Sequence, residues 1–186
     1  LNFLNKEDMK LPKLIITKKD LLTEPCDDYN DLPDGEFDAG EEIKRHKGDI
    51  DDVLWLIINC KKAQTKEWFD CFKSLNPDYE FVSRLIVNCE KTQTEEWFEY
   101  YKSLKPNYLN VGWLIACCKK AQTEEWFNYY KSLKPDYKDV ARLISVCKKA
   151  QTKKWFEYYR SLKPNDWYIG YLMAVCPKAE KYFFKK

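Results

Sequence analysis

Histidine is almost missing: His46 is the only one among 186 residues. A single imidazole cannot recur, so no repeated part of the chain can carry a Ser/His or Cys/His nucleophilic pair, or a Cys/His zinc set. Its expected place is the surface near the end of the N-terminal stretch. Glycine is scarce too, at five residues, and none takes the spacing of a phosphate-cradling loop. No apolar run approaches the roughly 20 residues that a membrane-spanning helix needs. No charged, apolar and cleavable succession opens the chain. It begins at Leu1 and not at methionine, as a fragment or a processed product would. Carboxylate pairs such as Glu95-Glu96 do occur, but they are sequence neighbours that suit a helix start better than acid–base geometry. We therefore expect no catalytic residue, no cofactor, no metal, no small-molecule substrate and no membrane association.

Charge of one sign is lacking overall, since the net charge is +2. It is unevenly placed, however. Residues 1–50 hold 8 Lys/Arg against 13 Asp/Glu, whereas residues 51–186 hold 24 against 17. A basic body behind an acidic leader suits an anionic partner, and it equally suits simple balancing of a solvated surface.

What the chain has in excess is aromatic side chains, 16% of its residues, and they come in a repeated phrase. Gln-Thr-x-x-Trp-Phe-x-x-x-Lys/Arg-Ser-Leu-x-Pro starts at Gln64, Gln93, Gln122 and Gln151, a step of 29 residues. Leu56, Leu85, Leu114, Leu143 and Leu172 keep the same step. Self-similarity at this period marks a solenoid of stacked supersecondary units.

Within each unit two helices are legible. Asp49, Asp78, Asn107, Asp136 and Asn165 are N-cap residues, and four of them follow a helix-ending proline (Pro77, Pro106, Pro135, Pro164). Val53, Leu56, Ile57 and Cys60 then follow the i, i+3, i+4, i+7 rule for a buried stripe. Later units repeat it as Val82-Leu85-Ile86-Cys89, Val111-Leu114-Ile115-Cys118 and Val140-Leu143-Ile144-Cys147. Lysines such as Lys61, Lys62, Lys119 and Lys120 are expected to close this helix, where the macrodipole is negative. A second N-cap is expected at Thr65, Thr94, Thr123 and Thr152, with Trp97, Tyr101 and Leu104 as the buried stripe of the helix that follows. The predicted fold is all-α: an α-solenoid of 29-residue helix-turn-helix repeats, about 4.5 of them by the sequence step, with helices of about 12 and about 10 residues. Helices this short are marginal alone.

The repeat domain is read as residues 50–186 and the acidic leader as residues 1–49. In the leader, Leu11 to Thr17 is a short strand or an extended arm, Asp27 to Asp38 an acidic loop, and Glu36 to Lys47 a short helix. It either caps the first repeat or runs as a mobile tail. At the other end Tyr182, Phe183 and Phe184 replace the repeated phrase, as a C-terminal cap or as a surface against a partner.

Eight cysteines are present, and five of them (Cys60, Cys89, Cys118, Cys147, Cys176) copy one repeat position. Neighbouring helices pack roughly 10 Å apart, beyond the about 7 Å that bridged Cα atoms allow. A disulfide ladder or shared metal is not expected on that ground. Buried thiols acting as small hydrophobes, in a reducing cytoplasmic setting, are expected instead. Cys71 stands where other units have Tyr100, Tyr129 and Tyr158. Cys26 has no assignment, and Cys117-Cys118 lacks the second pair of a zinc site.

Helical-hairpin arrays such as tetratricopeptide, ankyrin and HEAT repeats are the nearest architectural likenesses, but the chain carries the phrase of none. Its period is too short, Gly112 lies outside a Trp-x-x-Leu-Gly phrase, and Thr-Pro-Leu-His does not occur.

Function has to be read from the positions that vary between units. In the first helix these are Asp51/Glu80/Leu109/Lys138/Trp167, Trp55/Arg84/Trp113/Arg142/Tyr171 and Asn59/Asn88/Cys117/Val146/Val175. Their i, i+4, i+8 spacing puts them on one stripe opposite the core. Three readings compete. The Trp and Arg side chains stack on one another as cation–π pairs. Alternatively, the stripe is a protein-binding face, since Trp, Tyr and Arg are the residues enriched at interface hot spots. The third is single-stranded nucleic acid, with bases on Trp55, Trp113 and Tyr171 and phosphates on Arg and Lys. The adopted reading is a non-enzymatic scaffold or assembly protein that binds a protein partner. Its candidate contact residues are Trp55, Arg84, Trp113, Arg142, Tyr171, Asn59, Asn88 and Lys138, with nucleic acid the alternative.

Overall fold

The structure, a computed structural model, describes residues 10–23, 31–46 and 48–183. Cys26, Phe184 and residues 27–30 of the acidic Asp27–Asp38 stretch lie outside the described residues. Among those described, helices dominate, and the fold is an all-α helical-repeat solenoid of consecutively packed short helices. The first helices of the hairpins are α2 (Ile50–Asn59), α4 (Tyr79–Asn88), α6 (Tyr108–Cys117), α8 (Tyr137–Val146) and α10 (Asp166–Val175). The second helices are α3 (Lys66–Ser74), α5 (Glu95–Ser103), α7 (Glu124–Ser132) and α9 (Lys153–Ser161).

Each first helix starts at its Asp or Asn cap. The side-chain oxygens of Asp49, Asp78, Asn107, Asp136 and Asn165 each accept from a backbone amide two or three residues on. That satisfies a donor that the helix itself leaves orphaned. The other end differs from the sequence expectation. The helix stops at the cysteine, whose backbone is extended, and the Lys-Lys-Ala that follows is a separate 3-10 turn. The helices are thus ten and nine residues long, shorter than expected.

The repeated glutamine explains the early stop. The amides of Gln64, Gln93, Gln122 and Gln151 donate at 3.1 Å to the carbonyls of Ile57, Ile86, Ile115 and Ile144. One of the last, otherwise unpaired carbonyls is met this way without another helical turn. Nor do the lysines sit in the helix they were expected to close. Lys91 and Lys149 reach the preceding hairpin instead, donating to the backbone carbonyls of Gln64 at 2.9 Å and Gln122 at 3.2 Å.

The threonine caps are also only partly as expected. Thr123 accepts from the Trp126 amide at 3.4 Å, while Thr65, Thr94 and Thr152 make no side-chain cap bond. Their contribution is the extended backbone that lets a new helix start. At the far end of the second helices, Asn76, Lys105, Lys134 and Lys163 turn the chain through the left-handed region, with φ of 52°, 53°, 54° and 54°. A proline follows each and keeps the helix from continuing.

The chain divides into two compact units, residues 1–104 and 105–186. In the first, β1 (Ile15–Ile16) pairs antiparallel with β2 (Phe37–Asp38), and α1 (Ala39–Arg45) follows. This described part of the leader packs on the first hairpin. Leu22 donates its amide to the Asn59 carbonyl at 2.6 Å, and Thr23 bonds the Asn59 side chain at 3.0 Å. Asp20 pairs with Lys62 at 2.9 Å. Ile16, Leu21, Leu32, Phe37 and Ile43 close over Trp55 and Leu56 with a residual cavity of only about 20 Å³. The apolar end of the first hairpin is therefore covered. His46 is half-buried within this layer, 3.3 Å from Asp31, and not at the open surface as expected.

The cores of both units follow the repeat. Val, Leu, Ile and Cys of each first helix are within 3% of full burial in α2, α4, α6 and α8. So are the tryptophans of the second helices, Trp68, Trp97, Trp126 and Trp155. Successive hairpins are locked through these rings. In the first unit the Phe69 ring meets Trp97 edge-on at 5.8 Å, and Lys73 Nζ lies 4.4 Å above it. In the second unit Phe127 meets Trp155 at 5.2 Å, with Lys131 Nζ at 4.3 Å. Where no tryptophan follows, α11 (Glu180–Phe183) takes its place. Tyr182 stacks on Phe156 at 4.7 Å and Phe183 meets Tyr159 at 5.9 Å, so these rings cover the last hairpin's second helix.

Two predictions follow from this packing. Replacing Trp97 with alanine removes a buried ring, its aromatic neighbours and a cation–π contact, and should cost about 3–5 kcal/mol in urea unfolding of the full chain. The second concerns alkali. Burial pushes the Tyr159 phenol up to about 12 and Tyr130 higher still, whereas an unfolded tyrosine ionises near pH 10. Their contribution is intact below about pH 10, where both states hold the proton, and is lost as pH rises from there through the folded values. The melting temperature should fall steeply above about pH 10, and Tyr159→Phe should flatten that fall.

Candidate functional site

The variable stripe takes two different forms in the two units. In the first it is polar and internally satisfied. Arg84 pairs with Asp51 at 3.0 Å and lies over its own helix's Phe81 ring at 5.8 Å. Asn59 donates to the Trp55 carbonyl at 2.9 Å and Asn88 to the Arg84 carbonyl at 2.8 Å. Trp55 is half-buried by the leader, unlike the open tryptophan the spacing implied, because the leader fills the side of α2 that no preceding hairpin covers. Of the expected contact residues here, Arg84 and Asn88 are exposed.

In the second unit the same stripe is apolar and open. Leu109, Trp113, Val146, Trp167, Tyr171 and Val175 are all exposed, Trp167 to 67%. They come from α6, α8 and α10, whose outer faces run side by side. Trp167 lies parallel to Tyr171 at 6.0 Å, and Lys138 Nζ is 5.8 Å from the Tyr168 ring. Arg142 is exposed among them.

Two adjoining depressions mark this face. One, of about 450 Å³, runs between α6 and α8, with Leu109, Trp113, Cys117, Arg142 and Val146 on its walls and Tyr130 of α7 beneath. The other, of about 500 Å³, lies over the starts of α6, α8 and α10 and shares Tyr108, Leu109, Asp139 and Arg142 with the first. Burial first, and the Asp136 carboxyl second, push the Asp139 carboxyl up.

Gly112 makes the first depression deep. A Cβ there would stand 3.0 Å from the Tyr130 ring, so the glycine lets the ring lie directly under α6. Sequence reasoning named Trp113, Arg142, Tyr171 and Lys138, and the structure brings these four onto one unit. It missed Gly112 and Tyr130. The signal was available for the first, because the equivalent first-helix positions hold Leu54, Ser83 and Ala141, and only Gly170 repeats the glycine. Tyr130 carried no such signal, since Tyr101 and Tyr159 repeat it.

No protein-family model, curated protein or solved structure matches this chain. Among the described residues no helix is long and apolar enough to cross a membrane, and no group of three or more His, Cys, Asp and Glu side chains is placed to hold a metal ion.

The thiols offer a check on this geometry. Cys117 is exposed on the groove wall, while Cys89, Cys118 and Cys147 are buried. A small thiol reagent should label Cys117 in the native protein and the other three only after unfolding. Burial, and after it the neighbouring Cys118, push the Cys117 thiol up. Its labelling rate should therefore keep rising about tenfold per pH unit through pH 8–9, because the thiolate is the reacting form.

Proposed function

We propose that this chain is a non-enzymatic helical-repeat scaffold that binds a protein partner, with the first-helix stripe of residues 105–186 as the contact face. The observation that carries this reading is the concentration of large exposed apolar side chains there, Leu109, Trp113, Val146, Trp167, Tyr171 and Val175. An extended apolar patch rimmed by polar groups is the usual mark of an interaction surface, and aromatic and Arg side chains dominate the energetics of such surfaces. Helical-repeat proteins bind along the faces that their stacking creates. The buried, unbridged cysteine column fits a reducing compartment such as the cytoplasm.

Single-stranded nucleic acid is the second reading. Trp113 and Tyr171 offer exposed rings near Arg142 and Lys138, although Asp136 and Asp139 stand among those cations.

The test is co-purification of the native full chain against a Trp113→Ser/Trp167→Ser variant. Both rings are exposed, so each change should alter stability by no more than about 0.5 kcal/mol. A protein partner held by wild type should be lost with the variant, and its binding should change little between low and moderate salt. Binding of a labelled oligonucleotide that weakens steeply with salt would instead favour nucleic acid, because phosphate contacts release counterions. A partner retained in full by the folded variant would place the binding site elsewhere.

A further inference from the structure

We propose that the groove between α6 and α8 is a recognition pocket for a peptide segment of the partner that presents a large apolar side chain next to a carboxylate. This rests on the protein-binding reading and adds to it the chemistry of what binds.

The walls define the apolar part. Leu109, Trp113 and Val146 line the groove and are exposed, and Gly112 removes the side chain that would fill it. A groove of about 450 Å³ lies within the range of sites that take a bulky side chain or a small ligand.

Two unpaired donors define the polar part. Tyr130 is 1% exposed, lines the groove, and its hydroxyl makes no hydrogen bond among the described residues. Its oxygen is not sealed from solvent as the Tyr159 hydroxyl is, so the phenol is free to donate to an acceptor that enters the groove. Tyr130 keeps its proton well into alkali because burial disfavours the phenolate, so at neutral pH it is a donor. Arg142 is the second. Its guanidinium makes no hydrogen bond or ion pair among the described residues, whereas Arg84, two repeats earlier, is held by Asp51 at 3.0 Å.

The repeat explains the difference. Arg84 finds its partner 33 residues before it, and at that same spacing Arg142 meets Leu109. A carboxylate in one unit has become a leucine in the other, so Arg142 has no ion pair across the hairpins and only the charge of Asp139, on its own helix, near it at the mouth of an apolar groove. An incoming carboxylate would restore the missing pair, with bidentate geometry available to it.

Asp139 on the same wall decides between a peptide and a simple amphiphilic acid. It offers an acceptor beside the two donors. A peptide, with backbone amides as well as a carboxylate, satisfies both kinds of group. A fatty acid or an aromatic acid satisfies only the donors and is repelled by Asp139. A nucleic acid strand would bring phosphate to Arg142, but its backbone would be repelled by Asp136 and Asp139.

The experiment is selection of a random dodecapeptide display library on the immobilised full chain, followed by affinity measurement with the selected peptides made synthetically. The expected consensus is a large apolar residue within a position or two of Asp or Glu. Binding should protect Cys117 from a thiol reagent, since that side chain lies on the groove wall. Arg142→Gln and Tyr130→Phe should each weaken binding about tenfold or more, the scale of a lost charge-assisted hydrogen bond. Tyr130→Phe should melt no lower than wild type, because it removes only the unpaired hydroxyl. Rescue of binding by Arg142→Lys in part would support the charge contact.

Several results would overturn the proposal. They are an enriched consensus without an acidic residue, no enrichment at all, or unchanged affinity in both variants. Tighter binding of decanoate or of a twenty-residue thymidine strand than of the selected peptides would overturn it too. So would a dimer, seen by sedimentation, whose formation alone protects Cys117. If both variants keep full affinity while Trp113→Ser/Trp167→Ser loses the co-purifying partner, the pocket chemistry is wrong and the broader protein-binding face stands. If the tryptophan variant also keeps its partner, the broader reading fails with it.

Discussion

Everything in this structure depends on helices too short to stand alone being locked ring to ring. Helices of nine and ten residues are marginal in water, so each must bury its face against the next. The lock is a T-shaped contact between a tryptophan and the preceding hairpin's phenylalanine, with a lysine cation over the tryptophan ring. It occurs at Trp97 with Phe69 and Lys73, and again at Trp155 with Phe127 and Lys131. Aromatic contacts of this kind add roughly 0.5–1.5 kcal/mol each beyond their buried area. The cation adds a comparable amount where it is partly desolvated, and burial does push the Lys131 ammonium down. In the first unit the leader closes over Trp55, and in the second Tyr182 and Phe183 cover Phe156 and Tyr159.

The same repeat that fixes the core leaves one face free to vary, and the variation is where the two units part. In the first, Asp51 meets Arg84, and Asn59 and Asn88 bond the backbone of their own helices. The polar side chains of this surface are thus paired within the unit. In the second unit the corresponding places hold Leu109, Cys117 and Val146, and the groove between them is open. Apolar surface without a covering layer, above an unpaired phenol and beside an unpaired guanidinium, is unsatisfied in both the hydrophobic and the hydrogen-bonding sense. That combination is what supports the proposed partner-binding face.

Much of the fold was legible in the residues because repetition multiplies weak local signals. One Asp before one apolar stripe is a modest hint of a helix start. Asp49, Asp78, Asn107, Asp136 and Asn165 at a constant step are far stronger, and all five cap as read. The buried column of cysteines followed from the same logic. The helix ends were less legible. The lysines after Cys60 and Cys118 read as helix terminators by charge, but the Gln64 and Gln122 side chains had already closed the helix through the Ile57 and Ile115 carbonyls. A side chain reaching back seven residues leaves no trace in hydrophobic periodicity.

By itself, then, the sequence determined the class of fold, the period, the faces that turn inward and the set of positions free to vary. These follow from local rules, cap chemistry and the 3.6-residue turn, which act within one helix or one hairpin. Only the tertiary structure decided which variable residues are available. Trp55 and Trp113 occupy the same place in the repeat, yet one lies under the leader and the other walls an open groove. Arg84 and Arg142 are likewise equivalent, yet only Arg84 has its acceptor, because the residue facing it comes from the neighbouring hairpin. Which side chain fills the space beside a given residue depends on contacts between elements distant in sequence, and no periodicity within a single helix encodes them.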